Sequence, residues 1–375
     1  MGSSANKGTL QIPVRLAQLE AMSIARQIAR EAGVFGQVWS DFSARVENRF
    51  IQFFLLRAIR SAVSQETGYE GAADRLANYR SAVASGKFSI FSPVSAVTPA
   101  SEDAGWHDSA AIDVWRDADE FDVASHDPSP EKKSEEPILI YVPGGGFILP
   151  PAPSQIGLAF RLGEACGCQV VMGHHRLAPE YAFPAPIHDL ADLYLDLIAK
   201  GHSPSNILIA GDSAGATLVL SMLLEIRARK LPMPAGAMLF SPWADLSMRG
   251  WSYLTKSLSS DSPFRMETAA FCARLYLGET LPTDPRASPN YARLDGFPPL
   301  AIHCSRYDMH FDDAVTLAEQ AASADVPVRV NYWDSPRHHL ERFRSRDADR
   351  SMELAAENVR WMMSHAEANE EALMR

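Results

Sequence analysis

The chain has 375 residues, of which 46% are hydrophobic and 22% are charged, and its formal net charge is −11. This length and composition predict a globular protein with one large domain and room for an accessory element. The negative charge argues against nucleic acid or an anionic membrane surface as a partner. No apolar run approaches the roughly 18 residues that span a bilayer, and the first residues show no signal sequence. We therefore expect a cytoplasmic protein with no stable membrane span.

The first predicted elements are helical. Residues 10–90 show no strand alternation and few glycines. The segment 50–56, which reads Phe-Ile-Gln-Phe-Phe-Leu-Leu, is apolar around the whole helix but too short to cross a bilayer. It is interpreted as a helix that packs over a cleft, with a membrane-dipping lid as the alternative. We predict an N-terminal helical cap region over residues 1–95 and a main domain over 96–375.

A polar and acidic stretch follows from 99 to 137. One strand candidate, residues 110–115, interrupts it. The segment 127–136 contains only Asp, Pro, Ser, Glu and Lys, a composition typical of a solvated hairpin loop.

Beyond Pro137, short apolar runs alternate with helical patterns. Strands are predicted at 138–142, 169–173, 206–210, 236–240, 299–304 and 328–333, with helices around 155–165, 185–200, 215–229, 312–324 and 346–365. This alternation predicts an α/β protein with a mostly parallel central sheet and helices on both faces. The interval between 243 and 298 is too long for a simple crossover and is rich in aromatic residues and Met, so about 246–282 is assigned to a cap insertion.

A possible nucleophile follows the third of these strands. Residues 211–215 read Gly-Asp-Ser-Ala-Gly and lie between the buried strand and an apolar helix. Strand, Gly-x-Ser-x-Gly and helix together form a nucleophile elbow, whose glycines permit a sharp turn that exposes the serine hydroxyl. The context favours Ser213 as a nucleophile over a serine in a structural turn.

A serine nucleophile needs a base, an orienting acid and donors for an oxyanion. Such groups sit at the carboxyl ends of strands in doubly wound sheets. Three glycines at 144–146 follow the first strand of the main domain. Asp308 follows the strand at 299–304, and the pair His338 and His339 follows the strand at 328–333. The order Ser, Asp, His is that of the α/β-hydrolase fold.

Other polar residues near these positions include one alternative acid and three residues with expected structural roles. Asp312 is the second candidate for the acid. Asp212, directly before the nucleophile, is interpreted as structural because the acid must reach the histidine. Arg176 and Glu180 are expected to brace loops at the catalytic face.

Over roughly residues 105–365 the sequence resembles the hormone-sensitive-lipase-like esterases, an α/β-hydrolase group with a His-Gly-Gly-Gly oxyanion motif. The markers are 143–147, Arg-Leu-Ala-Pro-Glu at 176–180, 211–215, Asp-Pro-Arg-Ala-Ser-Pro at 284–289, and the segments of Asp308 and His338. The resemblance implies an α/β-hydrolase fold with an N-terminal helical cap. It also implies that the amides of Gly144, Gly145 and Ala214 form the oxyanion hole.

The sequence departs from the family pattern at the glycine loop and after the second strand. Pro143 stands where the family usually has His, and proline can restrain the loop backbone instead. His174 and His175 replace the usual Asp-Tyr. Since neighbouring residues of a strand point to opposite faces, these two histidines are not expected to share a metal ion.

A third departure leaves two candidate bases. His339 and Leu340 replace the usual Gly-Phe, so two histidines stand side by side. The family places its base five residues before a phenylalanine, here Phe343, which selects His338.

The resemblance and the residues together predict a serine carboxylic-ester hydrolase with a Ser213–Asp308–His338 triad. The expected substrate is a small to medium ester, with no cofactor and no metal. An amidase, a lactonase or an acyltransferase with the same triad stays an alternative, as does a non-catalytic ligand receptor on this fold. A homodimer is left open.

Overall fold

The structure is a computed structural model that describes residues 114–115, 136–256, 265–343 and 345–373. Its strands are β1 (Val114–Trp115), β2 (Ile138–Val142), β3 (Gln169–Met172), β4 (Ile207–Asp212), β5 (Gly236–Phe240), β6 (Leu300–Ser305) and β7 (Val328–Trp333). Its α-helices are α1 (Pro153–Cys166), α2 (Ala185–Ala199), α3 (Ala214–Ala228), α4 (Trp251–Lys256), α5 (Met266–Leu277), α6 (Phe311–Ser323) and α7 (Arg346–Leu373).

The strands of the described ranges form one sheet in the order β1-β3-β2-β4-β5-β6-β7. Strands β2 to β7 pair in parallel, whereas β1 pairs antiparallel with β3. The carboxyl ends of the parallel strands therefore meet at one edge of the sheet. Strand order reverses beside β2 and β4, which is where α/β folds place their ligand crevice.

Helices cover both faces of the sheet. Strands β2, β4, β5 and β6 are buried at every position, which explains their continuous apolar sequences. Ile140 and Ile209 pack in the apolar cluster that contains α2, α3 and α6. Leu139 and Leu208 pack on the opposite face in the cluster that contains α1 and α7. The predicted α/β class with a mostly parallel sheet is confirmed.

Several predicted elements end one or more residues away from the observed boundaries. Strand β4 continues to Asp212 and β6 to Ser305, while α7 continues to Leu373 instead of ending near 365. The strand candidate at 110–115 includes β1, which pairs with β3 through Val114 and Trp115.

The cap predictions are not tested by the described residues. The helical cap region over 1–95 and all but the last residue of the 127–136 loop lie outside them, so both stay predictions. Within 246–282, α5 packs on the sheet core, where the Tyr276 ring stacks on that of Phe147 with 3.9 Å between centroids. None of the described helices is both long enough and apolar enough to cross a membrane.

Candidate active site

Ser213 occupies a strained turn between β4 and α3. Its backbone has φ 52° and ψ −120°, a conformation that non-glycine residues rarely adopt and that is found at functional sites. Its amide donates to Phe240 O at 2.8 Å, which ties the turn to β5. Gly215 lets the helix approach the sheet, because a Cβ there would lie 2.1 Å from Val142 O. The predicted elbow is therefore present, with the Ser213 side chain near the carboxyl edge of the sheet.

Asp308 and His338 come together from the ends of β6 and β7. Oδ2 of Asp308 lies 2.7 Å from Nδ1 of His338, and both side chains are largely buried. Oδ1 of Asp308 accepts a hydrogen bond of 3.1 Å from the His310 amide. Burial alone would raise the pKa of Asp308, but the charge and hydrogen bonds of His338 and His310 outweigh it and hold the pKa well below its ordinary value. The carboxylate is therefore ionised at neutral pH.

Ser213 and His338 line one pocket at this edge of the sheet. Gly145 and Leu149 of the loop after β2 form another part of its wall, and Arg342, shortly before α7 in the chain, also lines it. Ser213 is only 8% exposed, so a reacting group would have to enter this pocket to reach its hydroxyl.

The glycine loop after β2 presents its amides differently from the prediction. The Gly144 amide donates to Oδ1 of Asp212 at 2.9 Å. An N–H group committed to a buried carboxylate is not available to an oxyanion, so the role predicted for Gly144 needs correction. Within the described part of the chain, the amides of Gly145, Gly146 and Ala214 donate no hydrogen bond.

Asp212 is the centre of a buried network behind the nucleophile. Oδ1 also accepts a 2.6 Å hydrogen bond from the Tyr141 hydroxyl, and Oδ2 accepts one of 2.8 Å from Nε2 of Gln155. Nε2 of His339 lies 2.9 Å from Oδ2 as a close ion pair. Burial alone would raise the pKa of Asp212, but His339, the Tyr141 hydroxyl and the Gly144 amide outweigh it and lower the pKa far below its ordinary value. These contacts fit the structural role that the sequence predicts for Asp212.

The second histidine lies between two carboxylates. Nδ1 of His339 lies 3.4 Å from Oε2 of Glu341, on the opposite side of the ring from Asp212. Burial alone would lower the pKa of His339, but the two carboxylates outweigh it and raise the pKa above its ordinary value. Oε1 of Glu341 accepts a 2.8 Å hydrogen bond from Ser351, whose hydroxyl oxygen lies 2.8 Å from Nδ1 of His303.

The remaining candidates make contacts with other residues. Oδ2 of Asp312, the second candidate acid, accepts a hydrogen bond from the Ser252 amide at 2.9 Å. Arg176 pairs with Asp189 through three side-chain contacts of 2.7 to 3.0 Å, consistent with a bracing role.

One group of metal-ligating side chains comes together within the described ranges. The ligand atoms of Asp308, His310 and His338 all lie within 4.8 Å of one another. Two ligands of a tetrahedral zinc ion at about 2.0–2.1 Å would be roughly 3.3 Å apart. The 2.7 Å between Asp308 and His338 is a hydrogen-bond distance, so this pair fits a shared proton better than a metal.

Sequence reasoning missed the contacts that Tyr141, Gln155, His310 and His339 make at the site. One signal was available. A carboxylate at the end of a buried strand, as at Asp212, must find donors on neighbouring segments. Which segments supply them depends on the fold.

Comparisons with known proteins place the chain in a family. A family model described as alpha/beta hydrolase fold matches residues 139–341, more than half of the chain, and the chain belongs to that family. It is 37% identical over 202 residues to an acetyl-hydrolase of Streptomyces hygroscopicus, an alignment that covers 53% of this chain and 67% of the relative. It is 30% identical over 207 residues to an esterase of Acinetobacter venetianus, with 55% and 68% covered.

Solved structures give the same result. An esterase/lipase from an uncultured bacterium matches with a TM-score of 0.59 and 31% identity, covering 62% of this chain and 78% of that one. An esterase from the bacterial hormone-sensitive lipase family matches with a TM-score of 0.61 and 25% identity, covering 84% and 98%. The resemblance to hormone-sensitive-lipase-like esterases is confirmed, and the protein is a carboxylic ester hydrolase.

Proposed function

We propose that the protein hydrolyses small to medium carboxylic esters through Ser213, Asp308 and His338. The observation that carries the proposal is the 2.7 Å contact between Asp308 and His338. His338 also lines the pocket that Ser213 lines. An ionised Asp308 accepts the Nδ1 proton of His338 and so leaves Nε2 unprotonated. This is the tautomer that can take the proton of a serine hydroxyl.

The reaction then runs in two halves. His338 removes the Ser213 proton as the serine oxygen attacks the ester carbonyl, and it returns the proton to the leaving alcohol. Water attacks the acyl-enzyme by the same proton route and releases the acid.

The amides of Gly145, Gly146 and Ala214 are the donors we assign to the oxyanion hole. All three are free of other partners in the described residues, and Ala214 is the first residue of α3, where helix amides point outward. A preorganised donor of this kind contributes about 2.7–4 kcal/mol in comparable enzymes. Gly144 instead fixes the loop through Asp212.

The proposed substrate class rests on the pocket and on the relatives. Leu149 and Pro150 give the pocket an apolar wall beside Gly145, which suits an acyl chain or an alcohol group. A relative named acetyl-hydrolase supports a short acyl group, and a relative named esterase supports ester hydrolysis without indicating the acyl length. A panel of p-nitrophenyl esters of graded acyl length, with a matched anilide and a lactone, measures the preference directly.

The test of the nucleophile compares two serines that are close in the chain. We expect Ser213→Ala to abolish both hydrolysis of p-nitrophenyl acetate and labelling by an organophosphonate. Ser221→Ala is the matched control, because Ser221 is a buried serine of α3 whose hydroxyl donates to Thr217 O at 2.9 Å within its own helix. The control should keep both activities. Labelling that persists in folded Ser213→Ala would contradict the proposal.

The test of the base is a single substitution. His338→Ala should lower kcat by about 10⁴-fold or more, since loss of one member of a triad removes general-base catalysis. A loss smaller than about tenfold would show that another group takes the serine proton.

A further inference from the structure

An ion pair joins the residues beside the proposed nucleophile and the proposed base. Asp212 directly precedes Ser213, and His339 directly follows His338. Nε2 of His339 lies 2.9 Å from Oδ2 of Asp212, and each of the two side chains is at most 2% exposed. Because each partner is one residue from a reacting side chain, this contact fixes the loop after β7 against the turn after β4.

The same carboxylate also holds two other segments of the pocket. Oδ1 of Asp212 accepts a hydrogen bond from the Gly144 amide at 2.9 Å, which fixes the position of the glycine loop relative to β4. Oδ2 accepts Nε2 of Gln155 at 2.8 Å, which ties the start of α1 to the same point. A shift of Asp212 would therefore move the oxyanion donors, the nucleophile and the base relative to one another.

His339 is held in place from three sides. Its backbone is left-handed at φ 57°, and its amide donates to the Ser241 hydroxyl at 3.2 Å. On the far side of the ring, Nδ1 lies 3.4 Å from Oε2 of Glu341. With a carboxylate at each nitrogen, the imidazolium form is the one that satisfies both contacts.

We propose that His339 is a positioning residue of the esterase, whose contact with Asp212 keeps the nucleophile turn, the glycine loop and the base loop in reacting register. The inference rests on the proposed function of Ser213 and His338. His339 itself does not contact the reacting atoms and transfers no proton in the reaction. A displacement of about 1 Å at a reacting centre can cost roughly 100-fold in rate, which sets the scale of the expected effect.

Two amide substitutions of His339 separate the effect of losing the Asp212 contact from the effect of losing the imidazole ring. The amide nitrogen of His339→Gln reaches about as far as Nε2, so it can occupy the same position beside Oδ2 of Asp212. The side chain of His339→Asn is one methylene shorter than that of Gln. Its amide nitrogen reaches only about as far as Nδ1, the ring atom that faces Glu341, and cannot reach Asp212. Asn also tolerates a left-handed backbone well, so backbone strain does not explain a loss in that variant.

The readout is kcat for p-nitrophenyl acetate per active site. The number of active sites is determined by titration with a p-nitrophenyl phosphonate, which releases one p-nitrophenol for each serine that it labels. We expect His339→Asn to lower this kcat by about 100-fold with KM changed less than about threefold, and His339→Gln to recover at least tenfold of the loss. A purely structural role would lower the number of titratable sites and leave the turnover of each site unchanged. Tyr194→Phe is the control for destabilisation, because the hydroxyl of the buried Tyr194 donates to Pro232 O, outside the site.

A normalised kcat within threefold of wild type in His339→Asn would overturn the inference, as would equal losses in the Asn and Gln variants. If His339→Asn does not fold, Asp212→Asn removes the charge from the other partner and is judged by the same criterion. Failure of the proposed function is distinguishable, since Ser213→Ala would then keep its activity. An inactive Ser213→Ala together with a fully active His339→Asn overturns only the present inference.

Discussion

Replacing Asp308 by Asn is expected to invert the tautomer of the proposed base without moving it. The His310 amide donates to Oδ1 of Asp308 at 3.1 Å, and a backbone N–H can only donate. The amide oxygen of Asn must therefore take the Oδ1 position, because the alternative places two donors against each other in a buried site at a cost of about 1–3 kcal/mol. The amide nitrogen then faces Nδ1 of His338 across the 2.7 Å contact.

The consequence for catalysis follows from this orientation. Nδ1 of His338 must now accept a hydrogen bond, so the ring proton moves to Nε2, which can no longer take the proton of Ser213. The equivalent exchange in a serine protease lowers kcat by about 10⁴-fold. That factor corresponds to about 5.4 kcal/mol of activation free energy. We expect a similar loss here, with KM little changed.

The assay is steady-state hydrolysis of p-nitrophenyl acetate, with an unfolding curve for each variant. Asp312→Asn is the matched control, since Asp312 is close in the chain and accepts the Ser252 amide instead. It should keep kcat within a few-fold. If Asp308→Asn stays within about tenfold of wild type, or if Asp312→Asn loses as much, the assignment of the acid is refuted.

Three other changes test the scaffold, the pH response and the cap. Gly215→Ala should destabilise the fold by about 3 kcal/mol in urea unfolding, because its Cβ would meet Val142 O at 2.1 Å; an unchanged midpoint would contradict this packing. Burial lowers the pKa of His303 from 6.5 to about 4. Between these two pH values the unfolded state binds a proton at this residue and the native state does not. The neutral His303 therefore contributes its whole stabilisation above pH 6.5, and this contribution is lost as the pH falls through 4. The difference in unfolding free energy between wild type and His303→Gln should therefore shrink by about 3 kcal/mol from pH 7 to pH 4, and a constant difference would refute the assignment. Phe53→Ala or Phe54→Ala, outside the described residues, should shift the ratio of kcat/KM between short and longer esters roughly tenfold if the segment 50–56 covers the pocket, and an unchanged profile in folded variants would place the pocket wall elsewhere.

Local sequence patterns predict the middle of the sheet well because β2, β4, β5 and β6 are buried on both faces. A strand such as β4 must then be apolar at every position, and the following glycines mark where the chain turns. Polar residues directly after several such strands necessarily gather at one edge. This is why Ser213, Asp308 and His338 could be named together from residues far apart in the chain.

The oxyanion loop shows where such reasoning ends. Three consecutive glycines offer three nearly equivalent amides, and sequence alone does not say which one is already occupied. The choice is made by Asp212, a residue 68 positions away from Gly144, whose carboxylate takes the first amide of the loop.

His339 extends the same argument to the base. His338 and His339 are adjacent in the sequence, yet the His338 ring contacts Asp308 and the His339 ring contacts Asp212. Consecutive residues of an irregular loop can point to different partners, and His339 combines a left-handed backbone with a side chain that is 1% exposed. A buried imidazole between two carboxylates is costly to disturb, because removal of one partner leaves a charge without compensation. Hence substitution of His339 should affect the enzyme through the placement of its neighbours, whereas substitution of His338 removes the proton acceptor itself.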